Sequence, residues 1–182
     1  MVLLRLGYRP GMPGGGWVGR VEDAVVRIGG LMDPRCALEH MDVIDVSDSG
    51  VQLRGARFES AGLAARLEGC TSCTVFLATL GPRVDEEIDG LARTPSIQTV
   101  LDAAASEAAE ACARWIQRRE AVLAMSAGAR ALHRFSPGYG DFPLSHQQWF
   151  TGRFPCLGVR VEASGMMVPR KTISGVIGWR LC

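Results

Sequence analysis

Lysine is nearly absent from this chain: of 20 basic residues only Lys171 is a lysine, and the rest are arginines. No Gly-Lys-Ser/Thr string occurs, so a P-loop is excluded. Nor is there an excess of either charge. Lys+Arg is 20 against Asp+Glu 19, a net charge of +1, which leaves no electrostatic footprint for nucleic acid or an anionic membrane. Histidine is scarce too. His40, His133 and His146 are dispersed, and their spacing assembles no Ser/His/Asp or Cys/His set. No apolar run approaches the roughly 20 residues of a membrane span. The opening Met1-Val2-Leu3-Leu4 is broken by Arg5 and lacks a secretory cleavage pattern, so a cytoplasmic chain is expected.

Of six cysteines, only Cys70 and Cys73 form a C-x-x-C pair, and no second pair follows at zinc-site spacing. The pair precedes the apolar run Val75-Phe76-Leu77-Ala78, on the wrong side of a strand for a thioredoxin-type centre. Reduced, partly buried thiols acting as small hydrophobes are expected, with redox chemistry as the lesser reading.

What is present indicates mixed α and β structure. A chain of 182 residues suffices for one domain with a proper core. The loop Gly11-Met12-Pro13-Gly14-Gly15-Gly16 lacks the G-x-G-x-x-G spacing of a phosphate cradle. Helices are predicted over about 21–28 and 33–39. Val43-Ile44-Asp45-Val46, the turn Asp48-Ser49-Gly50 and Val51-Gln52-Leu53 form a predicted hairpin. A helix over 60–67, a buried strand over 74–79 and a helix from Pro82 to about Leu91 follow. The longest helix starts with Thr94 as cap and Pro95 at its first position, and Ile97, Val100, Leu101, Ala104, Ala108, Ala111, Cys112 and Trp115 keep a 3.6 period. In a final strand Ile173, Ile177, Trp179 and Leu181 share one face. Hairpin pairing with packed helices makes the expected fold class α+β, a mixed or antiparallel sheet. No repeat or linker divides the chain. A single domain over 1–182 is expected, with a variable part over 1–45 and a core over 46–182.

The most informative stretch is Arg134-Phe135-Ser136-Pro137-Gly138-Tyr139. Arginine grips a carboxylate in bidentate fashion with a charge that does not titrate. Pro137 presets a turn, Gly138 permits close backbone approach, and Tyr139, one of two tyrosines, offers a stacking face. Such a cluster suits a zwitterion attached to a flat ring system. On residue type and spacing alone, a tight surface turn with an arginine nearby is the commoner meaning of such a string. Glu110 is the companion candidate. It either pairs with Arg114 one turn along the helix, worth about 0.2–0.5 kcal/mol on a solvated face, or supplies a carboxylate to a ligand. Met166 and Met167 read as core, with a turn at Pro169 placing Arg170 and Lys171 outside.

Arg134-x-x-x-Gly138-Tyr139, continued by Gly140-Asp141-Phe142-Pro143, resembles the S-adenosylmethionine-binding motif of the activation domain of cobalamin-dependent methionine synthase. Glu162-Ala163-Ser164-Gly165-Met166-Met167-Val168-Pro169 and Thr172-Ile173-Ser174-Gly175 resemble that family's C-terminal strand segment. Ala78-Thr79-Leu80-Gly81, Leu101-Asp102-Ala103 and Leu4-Arg5-Leu6-Gly7-Tyr8-Arg9 resemble its small stand-alone members.

The resemblance implies reactivation of cob(II)alamin by reductive methylation, with S-adenosylmethionine as the methyl source. It implies that Arg134 holds the methionyl carboxylate, that the backbone from Phe135 through Gly138 to Tyr139 contacts the adenosyl part, and that Glu110 is a polar anchor. No protein nucleophile or general base is implied. An Asp-x-His-x-x-Gly string, the corrinoid-binding histidine loop, is missing. Cobalamin would therefore be supplied by a partner, a corrinoid-binding protein or a methionine synthase core, with a flavodoxin-like or other electron donor. The alternative is a docking adaptor of a corrinoid methyltransferase system that does not bind S-adenosylmethionine.

Overall fold

In the computed structural model, residues 1–7 and 17–182 are described. The Gly-rich loop and the Tyr8-Arg9 end of the N-terminal resemblance lie outside them. The short α1 (Val2–Arg5) and α2 (Trp17–Leu31) precede an antiparallel meander of β1 (Arg35–Ser47), β2 (Gly50–Leu53) and β3 (Ala56–Glu59). The chain continues through α3 (Ala61–Leu67), β4 (Cys70–Thr79), α4 (Arg83–Gly90) and α5 (Pro95–Ser126). After β5 (Ala129–Ala131) and a long loop come α6 (Gln147–Arg153), the small hairpin β6 (Arg160–Val161) and β7 (Met167–Val168), and finally β8 (Thr172–Leu181). The main sheet has the order β3-β2-β1-β4-β8-β5, and every pairing in it is antiparallel. The fold class is α+β, with helices packed on an antiparallel sheet.

β4 lies near the middle of this sheet and is covered on both faces, which is why 73–79 is an unbroken buried run. Cys73, Val75 and Leu77 face a core shared with Leu63 and Leu67 of α3 and Phe150 of α6. Phe76 and Ala78 face Ala113 and Ile116 of α5. Burying each such large side chain contributes about 1.5–3 kcal/mol. On β8, Val176 belongs to the first core and Ile177 to the second, as strand alternation requires. Gly175 sits opposite Phe76. A Cβ there would meet the Phe76 ring at 2.8 Å and Ser136 Oγ at 3.0 Å, so only glycine lets the loop from Arg134 lie against the sheet.

The predicted hairpin forms, with Val46 opposite Val51 and Ser47 opposite Gly50. The predicted helix over 33–39 does not. Those residues open β1, which pairs with β4 from Arg35↔Thr79 to Asp42↔Ser72, and tertiary pairing overrides local propensity. Ser60 caps α3 by accepting from Leu63 N at 3.0 Å. Thr94 occupies the N-cap position of α5, but its side chain makes no capping hydrogen bond. Its hydroxyl donates back to Leu91 O at 3.2 Å, while Pro95 does occupy the first helical position.

The buried stripe of α5 is Leu101, Ala105, Ala109, Ala113, Ile116, Glu120 and Ala124, whereas Ile97, Ala111 and Trp115 are exposed. The expected period holds at Val100, Leu101 and Ala104 and is displaced by about two positions in the second half. Many alanines make the apolar pattern nearly uniform around the helix, so the side that approaches the sheet, which carries Ala109 and Ala113 as well as Ile116, is not marked by large residues alone. Met167 is buried but Met166 is exposed, and Lys171 is turned inward, with its ammonium donating to Asp102 at 2.7 Å and Ser106 at 3.1 Å. Among the described residues no helix is long and apolar enough to cross a membrane.

Candidate functional site

The Arg134 segment leaves β5 and runs beside β8. Gln117 of α5 fastens it at two points: its side-chain oxygen accepts from Arg134 N at 2.8 Å, and its amide donates to Leu132 O at 2.9 Å. One residue on, Phe135 exchanges both backbone hydrogen bonds with Val176, at 2.9 and 2.8 Å. The chain then closes a tight loop. Gly138 N donates to Phe142 O at 2.8 Å and Tyr139 N to Ser136 O at 3.1 Å. Gly138 has φ +92°, which a side chain at this position would strain.

Asp141 ties this loop to the N-terminus of α3. Its carboxylate accepts from Ser60 Oγ at 2.8 Å, Ala61 N at 2.6 Å and Gly62 N at 3.0 Å. The Ser60 hydrogen bond, followed by the backbone donors, holds its carboxyl below the usual range. The Phe135 ring turns toward the same helix, where a Cβ added at Gly62 would meet it at 3.3 Å. It stacks on Phe142 with centroids 5.9 Å apart, and the Arg66 guanidinium lies 4.6 Å above it.

These elements enclose a small cavity of about 140 Å³. Arg134, Ser136, Pro137 and Tyr139 line it from the loop, Glu110 from α5, Gln147 from α6, Met167 from β7, and Thr172 to Ser174 from β8. Arg134 Nη2 donates to Glu110 Oε2 at 2.6 Å, with only 15% and 26% of the two side chains exposed. Glu110 therefore does not pair with Arg114; that arginine lies nearest Glu107, at 3.8 Å. Tyr139 is 60% exposed, so its ring forms an outer rim and not a wall.

Three buried side-chain atoms of residues lining this cavity, Arg134 Nη1, Gln147 Oε1 and Ser174 Oγ, have no hydrogen-bond partner among the described residues. An unsatisfied buried polar group costs about 1–3 kcal/mol, and more when charged. Together they offer a cationic donor, a neutral acceptor and a hydroxyl that can do either. That set matches the carboxylate and ammonium of an amino acid head group. A cavity this size is below the roughly 300–1,000 Å³ of pockets that enclose whole ligands, so any larger ligand would extend past the rim toward Tyr139.

The structure thus brings Arg134, Glu110 and Tyr139 to one cavity. Phe135 and Gly138 stand behind it as framework, and their backbone N–H groups are already bonded within the protein. Gln147 and Ser174 escaped sequence reasoning. Ser174 lies in a recognisable Ser-Gly element, but Gln147 sits in a polar run that resembles an exposed turn, and only the packing of α6 turns it inward. His133 is exposed, and its ring nitrogen lies 3.1 Å from Arg134 O.

All six cysteines are free thiols. Cys70 and Cys73 both lie within β4 and pack in the same core, a register shift between Cys70 and Ser72 having displaced the usual alternation. Burial is the main cause that pushes the Cys73 thiol up to about 12, the reverse of what a reactive thiolate requires.

No protein-family model and no curated protein sequence matches this chain. Its fold is similar to that of a solved structure, the MetH reactivation domain bound to AdoHcy, with a TM-score of 0.68 and 14% sequence identity, over 97% of this chain and 71% of that one.

Proposed function

We propose that this protein binds S-adenosylmethionine by its amino acid head in the Arg134 cavity and serves the reductive methylation of a corrinoid carried by another protein. That partner is a corrinoid-binding protein or a methionine synthase core, with electrons from a flavodoxin-like or other donor. The observation that carries the reading is the trio of unpartnered atoms of Arg134, Gln147 and Ser174, in a fold whose solved counterpart holds AdoHcy. Arg134 takes the carboxylate, Glu110 and Gln147 take the ammonium, and Tyr139 flanks the adenosyl part outside the cavity. The electrophile is the sulfonium methyl and the nucleophile a reduced corrinoid cobalt, so the chain's task is orientation. Phe135, Gly138 and Asp141 serve that task indirectly by fixing the loop.

The Arg134–Glu110 pair, already closed at 2.6 Å, favours a second reading: a docking adaptor that keeps the fold without the ligand. Calorimetry separates the two. S-adenosylmethionine should bind in the micromolar range. Arg134→Ala should lose about 1.5–3 kcal/mol, or roughly 10- to 150-fold in affinity. Absence of both heat and thermal shift at millimolar ligand would refute the binding reading and leave the adaptor.

A further inference from the structure

A second and larger cavity, of about 510 Å³, opens between the start of β1 and the outer side of α5. It shares no lining residue with the Arg134 cavity. Its walls are apolar: Met32, Ala78, Ala111, Trp115 and Ile116, with Cys36 and Cys112 adding two soft, weakly polar thiols. Trp115 is 58% exposed and Met32 37%. A large indole held in water beside an apolar cavity is the kind of surface that an occupant would cover.

Among the described residues the one charged lining residue is Arg35. Its partner is Asp33 at 3.2 Å, and both side chains are well exposed, so this pair is weak and open to exchange. The volume lies within the range of pockets that enclose small organic molecules.

We propose that this cavity is a binding site for an amphipathic organic anion, a hydrocarbon body with a terminal carboxylate. The body would fill the space between Met32, Ala78 and Ile116 under the Trp115 ring. The carboxylate would lie at the mouth beside Cys36, facing Arg35. This site is independent of the S-adenosylmethionine reading.

Cys36 provides the test, because it stands at the mouth while Cys156 and Cys182 are exposed elsewhere and serve as internal controls. Alkylation by iodoacetamide would be followed by mass spectrometry with decanoate below its micelle concentration. Decanoate should slow labelling of Cys36 about fivefold or more and leave Cys156 and Cys182 unchanged, and decylammonium should not protect. Arg35→Ala should weaken decanoate protection about three- to tenfold, the loss of one charge-assisted contact at a part-exposed site. Ala111→Trp, which fills the cavity from an exposed helix position, should abolish it. Both variants should bind S-adenosylmethionine as the wild type does. Equal protection of all three thiols, no protection of any, or equal protection by decylammonium would each overturn the proposal. Arg35→Ala keeps the test decisive should Ala111→Trp fail to fold.

Discussion

At Arg134 one terminal guanidinium nitrogen, Nη2, is bonded to Glu110 at 2.6 Å, while the other terminal nitrogen, Nη1, is buried with no partner among the described residues. A ligand carboxylate that draws Arg134 away leaves Glu110 uncompensated, and an ammonium on the same ligand restores the balance. On the proposed reading, both charges of a zwitterion are therefore needed. 5′-Methylthioadenosine, which has the ring system without the amino acid, should bind at least about tenfold more weakly than S-adenosylmethionine by calorimetry, since it forgoes a charge-assisted contact.

Asp141 gives a pH-dependent prediction. Its folded pKa lies below the ordinary 3.8, so its contribution to stability is complete above that value and is lost as pH falls through the lower folded value. Asp141→Asn should lower the melting temperature at neutral pH, and below about pH 4 the gap to the wild type should narrow. A gap that stays constant from pH 7 to 3 would refute this role. The sequence exposed Arg134 and Tyr139 because a cation, a Pro-Gly turn and one of only two tyrosines fall within six positions; an arginine alone, common in this chain, would not have stood out. It could not show that Glu110 pairs with Arg134, because that contact crosses from helix to loop, whereas the pattern on the helix itself pointed to Arg114.

Among the elements, α5 is where sequence periodicity and packing diverge. Ala113 is fully buried against the sheet, whereas Ala111 is exposed. Ala113→Leu should overpack that contact and cost about 1–3 kcal/mol in chemical denaturation, while Ala111→Leu should stay within about 0.5 kcal/mol. The reverse order would restore the stripe through Ala111 and Trp115 that the sequence suggested. β8 was legible, because alternation of Ile173, Ile177 and Trp179 has period 2 and strong apolar contrast. The start of β1 was not. Arg35 to Asp42 has weak local preference, and it becomes a strand because β4 offers it eight consecutive partners. Likewise Cys70 and Cys73 were legible as structural thiols, but not as members of β4 itself.

For the molecule as a whole, the proposed reading requires a partner. The chain should bind a corrinoid protein in trans, more tightly in its cob(II) than in its methylated form, and a tenfold preference corresponds to about 1.4 kcal/mol. A pull-down with both forms tests this, followed by spectroscopic detection of methylcobalamin after reductant and S-adenosylmethionine are added. Binding with methylation supports reactivation, binding without it supports the adaptor, and no binding removes both. The size of the Arg134 cavity carries a further consequence. On the proposed reading, a site of about 140 Å³ beneath an exposed tyrosine takes only the head of the methyl donor and leaves the remainder on an open shelf. Among the described residues nothing roofs that shelf; on the proposed reading the face of the docked partner supplies the roof, so the active chamber would belong to the complex and to neither protein by itself.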